Sequence, residues 1–134
     1  MSATEYLPLV FCLLLLGGLF LAIARMGAAG TLRRNGLVGV RTAATMQSDA
    51  AWYAAHRAIA PALRICAWAQ IAGAAVVLTL GLMSHNSSVI PVGLTFLTLP
   101  TIAMVVAAMT RGTSAANDAH RAWEQDQQAS PTHH

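Results

Sequence analysis

The side chains able to do acid–base, nucleophilic or metal chemistry are few and scattered. The five carboxylates are Glu5, Asp49, Asp118, Glu124 and Asp126, and no two of them can be argued onto one reacting centre, as carboxylate acid–base catalysis requires. The sequence contains no Gly-x-Ser-x-Gly elbow, no His-Glu-x-x-His and no phosphate-binding loop. His85 has no partner near it in sequence, and His133-His134 close the chain as a tail. The expectation is a protein that is not an enzyme and carries no cofactor and no metal. Recognition chemistry concentrates in one stretch, from Asn35 to Arg57. Arg41 offers a planar fork of donors to a carbonyl or a phosphate. His56 titrates near neutrality, and Trp52 brings a large ring with one N–H donor. The candidate motif and partner-binding residues are Asn35, Gly39, Arg41, Thr42, Thr45, Trp52, His56 and Arg57.

The elements that must position this stretch follow from composition. Of 134 residues, 56% are hydrophobic and only 10% charged, with a mean hydropathy of +0.56. A soluble domain carries about 25% charged residues, so the chain cannot clothe a water-facing surface. Three stretches lack Asp, Glu, Lys and Arg over the ~20 residues a bilayer core takes: Tyr6–Ala24, Ile65–Met83 and Val89–Met109. None alternates with the period of two of a barrel strand. The fold expected is an all-α membrane protein, three transmembrane helices with a cytoplasmic interfacial helix between the first two. A transmembrane domain over 1–112 holds the motif loop at 33–60, and a polar cytoplasmic tail follows at 113–134. Met1–Tyr6 contains Glu5 and no base, so the first span reads as an uncleaved anchor rather than a signal peptide.

All eight basic residues are Arg. Arg25, Arg33, Arg34, Arg41, Arg57 and Arg64 lie between or beside the first two spans, and Arg111 and Arg121 follow the third. The positive-inside rule then puts the first loop and the C-terminus in the cytoplasm, and the N-terminus and the short turn Ser84–Ser88 outside. The pI near 9.5 is thereby a topology signal, and nucleic acid is not an expected partner. Cys12 and Cys66 fall near opposite membrane faces, too far apart for a disulfide.

Inside the spans the pattern is one of helix packing. Gly17-Gly18 with Ala22, and Ala69 with Gly73, allow close backbone approach and an oligomer through small-residue faces. Pro100 should kink the third span, with Thr98 and Thr101 returning hydrogen bonds to freed carbonyls. Gln70 with Thr95 and Thr98 makes a polar seam between spans two and three. In the loop, Ser48 is an N-cap for a helix beginning at Asp49. Trp52, His56 and Ile59 share a face of that helix, Trp52 and Tyr53 lie at headgroup depth, and Pro61 bends the chain into span two. Arg33 and Arg34 read as topology determinants. In the tail, Ser114 caps a separate helix through Asn117, His120, Arg121 and Trp123, set off from span three by Gly112.

Gly39-x-Arg41-Thr42, then Thr45-Met46, Ser48-Asp49, Trp52 and Ala55-His56-Arg57 resemble the signature of the SdpI family of bacterial integral membrane proteins. That signature is a Gly-x-Arg-Thr-Pro core, a Thr/Ser–Leu/Met pair and a downstream Trp, set between two transmembrane helices. Ala43 stands here where the signature has Pro, which removes a fixed φ. The resemblance implies a multi-pass protein of the bacterial plasma membrane. It also implies immunity or signal transduction, by protection against a toxic peptide or capture of a regulator at the inner membrane face. The residues themselves leave two other classes open, a small accessory subunit of a larger membrane complex and an oligomeric transporter. The one partner that composition alone demands is the lipid bilayer.

Overall fold

The computed structural model of the chain describes residues 6–83 and 89–130. Glu5, the segment Ser84–Ser88 with His85, where a turn is expected, and His133-His134 lie outside the described residues. Three helices account for most of the rest, α1 (Leu7–Ala29), α2 (Asp49–Met83) and α3 (Val89–Ala129), with no strand among the described residues. The all-α expectation holds. α1 and α2 are each long and apolar enough to cross a membrane. Both keep large apolar side chains on their outer surfaces, Phe11 and Leu15 on α1 and Val76 and Leu82 on α2. That is the pattern of helices whose surroundings are apolar on every side.

The chain forms two compact units. The first takes residues 6–22, 62–83 and 89–106. Its core sets Tyr6, Val10 and Leu13, spaced at helical intervals, against Ala74 and Val77 of α2, with Leu97 of α3 packed alongside. Two of the small residues, Gly17 and Gly73, allow the close approach expected, while Ala22 and Ala69 are exposed. A Cβ on Gly17 would lie 3.0 Å from the Ala67 carbonyl, and one on Gly73 would lie 2.5 Å from the Leu97 methyls. Gly18 meets nothing. The polar seam differs in its partner, since Gln70 Nε2 donates to Thr101 Oγ1 at 2.8 Å, whereas Thr95 is exposed. Thr101 gives its own hydrogen to the Leu97 carbonyl (2.7 Å), one residue past the Phe96 carbonyl that Pro100 leaves without its N–H. Cys12 and Cys66 are free thiols.

The second unit takes residues 23–61 and 107–130. Its small core joins Ala44 of the loop, Ala51 and Ala55 of α2 and Ala116 of α3. Two helix boundaries differ from the sequence reading. The short helix opening at Asp49 is the first part of α2 itself, which runs through Pro61. Pro61 and Arg57 are both exposed, so the carbonyl that proline leaves unpaired four residues back sits on the outer side of the helix, where solvent or headgroups can satisfy it. α3 likewise runs through Gly112 to Ala129. Gly112 is buried, and a Cβ there would lie 2.8 Å from Ile59 Cγ2. It serves close helix contact and not termination, and Ser114 is an exposed mid-helix residue instead of a cap.

Candidate functional site

The motif loop is held by hydrogen bonds that can be followed from one end to the other. α1 closes on Gly30, whose φ of +68° is the left-handed conformation that ends helices. The Thr31 N–H turns back to the Met26 carbonyl at 3.0 Å, and the Leu32 N–H follows it at 3.3 Å. Asn35 then shapes a tight turn with its own side chain. Its Oδ1 accepts from the N–H of Leu37 (2.9 Å) and of Val38 (2.8 Å), and its Nδ2 donates to the Arg33 carbonyl (2.8 Å).

Thr42 and Thr45 close the second turn reciprocally. The Thr42 N–H donates to Thr45 Oγ1 (2.9 Å) and the Thr45 N–H to Thr42 Oγ1 (3.2 Å), while Thr45 Oγ1 donates to the Val40 carbonyl (2.9 Å). Thr45 is fully buried. Ser48 caps α2 as expected, its Oγ accepting from the Ala51 N–H at 3.1 Å.

Trp52 and His56 carry the loop on the first turns of α2. Trp52 was expected at headgroup depth, but it is wholly buried, and its indole N–H donates to the Leu32 carbonyl at 2.7 Å. A bond to a backbone group twenty positions away takes the ring inward. The His56 ring lies against it, centroids 4.1 Å apart. Gly39 passes over both rings with φ +113°. A Cβ there would stand 2.5 Å from His56 Nε2 and 3.0 Å from Trp52 Cη2. On the other side Gly27 of α1 meets the His56 backbone, and a Cβ there would lie 3.0 Å from its carbonyl oxygen.

The hydrogen bonds of His56 fix its protonation state. Nε2 faces the Val40 N–H at 2.9 Å. A backbone N–H only donates, so Nε2 must be the acceptor and the hydrogen sits on Nδ1, which donates to the Trp52 carbonyl at 2.8 Å. Burial holds the imidazole below its ordinary value of about 6.5, and the Trp52 carbonyl offsets this only in part. A proton added at Nε2 would point at another donor. The sign follows from linkage. The stabilisation is complete above about pH 6.5, and it is lost as pH falls from there through the lowered native value. Thermal unfolding in detergent should therefore be flat above pH 7 and fall progressively below pH 6.5, and His56→Phe should remove that fall. A wild-type profile as flat as the variant's would refute the neutral, doubly bonded ring.

Two arginines act differently from each other. Arg34 does more than mark topology: Nη1 donates to the Met46 carbonyl (3.0 Å) and Nε pairs with Asp49 (3.1 Å), which ties the loop's start to the head of α2. Nothing in the sequence distinguished it from Arg33. Arg41 is exposed and among the described residues makes one hydrogen bond, from Nη1 to the Gly36 carbonyl (2.5 Å), so most of its donor fork is free of contacts with them. Leu37, at the tip of the Asn35 turn, is 93% exposed.

Of the eight residues singled out by sequence, the structure brings Gly39, Trp52 and His56 into one packed cluster. Thr42 and Thr45 are joined to it through Val40, and Asn35 and Arg41 shape the outer turn. Arg57 stands apart, exposed on α2. Among the described residues no group of His, Cys, Asp and Glu could hold a metal ion. Compared with known proteins, the chain matches the model of the SdpI/YfhL protein family over residues 31–111, a segment that takes in the loop, all of α2 and α3 as far as Arg111. No curated protein and no solved structure matches it.

Proposed function

The chain belongs to the SdpI/YfhL protein family, and from that premise we propose that it serves membrane immunity or signalling, its loop receiving a toxic peptide or a regulator at the inner membrane face. In this reading Val89–Met109 is the third span, the N-terminus lies outside and the C-terminus is cytoplasmic. The observation that carries the proposal is the division of labour within the loop. Trp52, His56, Thr45 and Asn35 are occupied by contacts inside the loop, whereas Arg41 keeps most of its donors free of contacts with the described residues, near the exposed Leu37. A rigid frame that presents one guanidinium and one apolar side chain suits recognition of an anionic group set beside an apolar one.

Arg41→Lys tests this. Lysine keeps the charge but not the fork, and a charged hydrogen bond is worth about 1.5–3 kcal/mol. Protection or partner capture should drop roughly ten- to a hundredfold, while membrane insertion is unchanged. Arg33→Lys, which alters an exposed arginine with no side-chain bond among the described residues, should be silent. Equal wild-type behaviour of both would remove Arg41 from recognition. Orientation is checked by cysteine labelling. Leu37→Cys, more accessible than the capping Ser48, should react only after the cells are permeabilised, and Ser87→Cys should react in intact cells. The opposite pattern would invert the topology.

A further inference from the structure

Arg64 is the one Asp, Glu, Lys or Arg among the described residues of the first unit. It is exposed, and its guanidinium has no hydrogen bond and no ion pair among the described residues. It stands immediately before the charge-free stretch Ile65–Met83 of α2. Helical side chains lean toward the N-terminus of their helix, so this one reaches away from the apolar stretch, as an arginine at a membrane boundary does. An arginine there keeps its charge, and no carboxylate among the described residues of its unit neutralises it. The counter-charge has to come from outside this unit.

One turn further along α2, Trp68 lies at i+4 from Arg64 and thus on the same face. It is 58% exposed, and its indole N–H has no partner among the described residues. The face continues with Ala72 and Ala75, both exposed, and with Thr79, whose hydroxyl is spent on the Ala75 carbonyl at 2.8 Å. From the boundary inward it therefore offers a guanidinium, an indole N–H and then a low strip with no free polar side chain. A diacyl phospholipid has the same order: a phosphate, ester carbonyls just below it, then acyl chains. The helical rise of about 6 Å over four residues sets the two donors at successive depths.

We propose that this face of α2 is a binding site for one anionic phospholipid, with its phosphodiester on the Arg64 guanidinium, an ester carbonyl on the Trp68 indole N–H and an acyl chain along Ala72 and Ala75. A guanidinium takes a phosphate through two parallel bonds, and indole rings favour the headgroup level of a bilayer. The anionic class follows from charge. A zwitterionic headgroup brings an ammonium, and the described residues of this unit hold no carboxylate to meet it. The site rests on the membrane-spanning character of α2 and not on what the motif loop receives.

The three tryptophans give three indole N–H signals, which makes the test site-specific. The full-length protein, ¹⁵N-labelled at its indoles in a sugar-headgroup detergent, is titrated with phosphatidylglycerol or with phosphatidylcholine of the same acyl chains, each as a mole fraction of the micelle. The Trp68 signal, assigned by its loss in Trp68→Phe, should move at roughly tenfold lower phosphatidylglycerol than phosphatidylcholine, the factor a charged hydrogen bond confers. The buried Trp52 signal should stay still throughout and report that each variant is folded. Arg64→Gln should bring the two lipids to equal midpoints, and Arg64→Lys should keep part of the difference. Arg25→Gln, the same charge change at an exposed arginine of the second unit, should keep all of it. Equal response of the wild type to the two lipids overturns the proposal, and so does a preference that Arg25→Gln removes as fully as Arg64→Gln. A Trp68 signal that moves with protein concentration and not with lipid gives the face to a second copy of the chain and overturns it too.

Discussion

Gly39→Ala is expected to be the most damaging single-methyl change in the second unit. At φ +113° an L-residue costs about 1–3 kcal/mol in backbone strain alone. The new Cβ would also stand 2.5 Å from His56 Nε2 and about 3 Å from the rim of Trp52, and both rings are buried. The chain must lift away, and with it goes the bond from the Val40 N–H to His56. An unsatisfied, part-buried N–H adds roughly 1–3 kcal/mol, for a total of about 2–6 kcal/mol. Thermal unfolding of the detergent-solubilised protein should show this as a large loss. Gly36→Ala provides the control three residues earlier, because that glycine has no atom within 4 Å of an added Cβ and no positive φ. Comparable midpoints for the two variants would mean that the loop does not rest on the rings.

Truncating Trp52 should rank next to it, in graded steps. Trp52→Ala empties a fully buried site and strands the Leu32 carbonyl, a change that costs about 3–5 kcal/mol in packed cores. Trp52→Phe keeps most of the apolar contact and loses only the 2.7 Å bond to Leu32, at about 1–3 kcal/mol. An interfacial anchor would behave differently, because surface substitutions usually stay within about 0.5 kcal/mol. The order wild type, Phe, Ala in thermal stability, with spacing between each, is the expected result. A mild Ala variant would return Trp52 to the membrane surface.

Features written in one local stretch of sequence were legible. Absence of charge over some twenty residues marked the helices, and Ser48 before Asp49 marked the start of α2, because capping depends on neighbours within three positions. What failed depended on tertiary partners. Pro61 and Gly112 are local helix breakers whose effect is overridden here, the one because its freed carbonyl faces outward and the other because the space of its missing side chain is taken by Ile59. Trp52 read as an anchor because its partner, Leu32, is a carbonyl that every residue type possesses. Arg34 and Arg33 are the same letter in adjacent places, and only the position of Met46 and Asp49 tells them apart. Thr101, which bonds Gln70, lies one helical turn past Thr98, a spacing that periodicity leaves on the same face.

The turn at Asn35 also sets how the protein ages. Asparagine followed by glycine is the dipeptide in which a backbone nitrogen most readily attacks the side-chain amide, closing a five-membered imide with release of ammonia. Hydrolysis of that ring leaves aspartate or isoaspartate. For this to happen at Asn35, the amide carbon must swing onto the nitrogen of Gly36. Three hydrogen bonds, from the Leu37 and Val38 N–H groups and to the Arg33 carbonyl, hold it elsewhere. Ammonia loss at this position is consequently slow while the loop is closed and speeds up whenever the loop opens. The accumulated isoaspartate is then a covalent record of how long the loop has spent open.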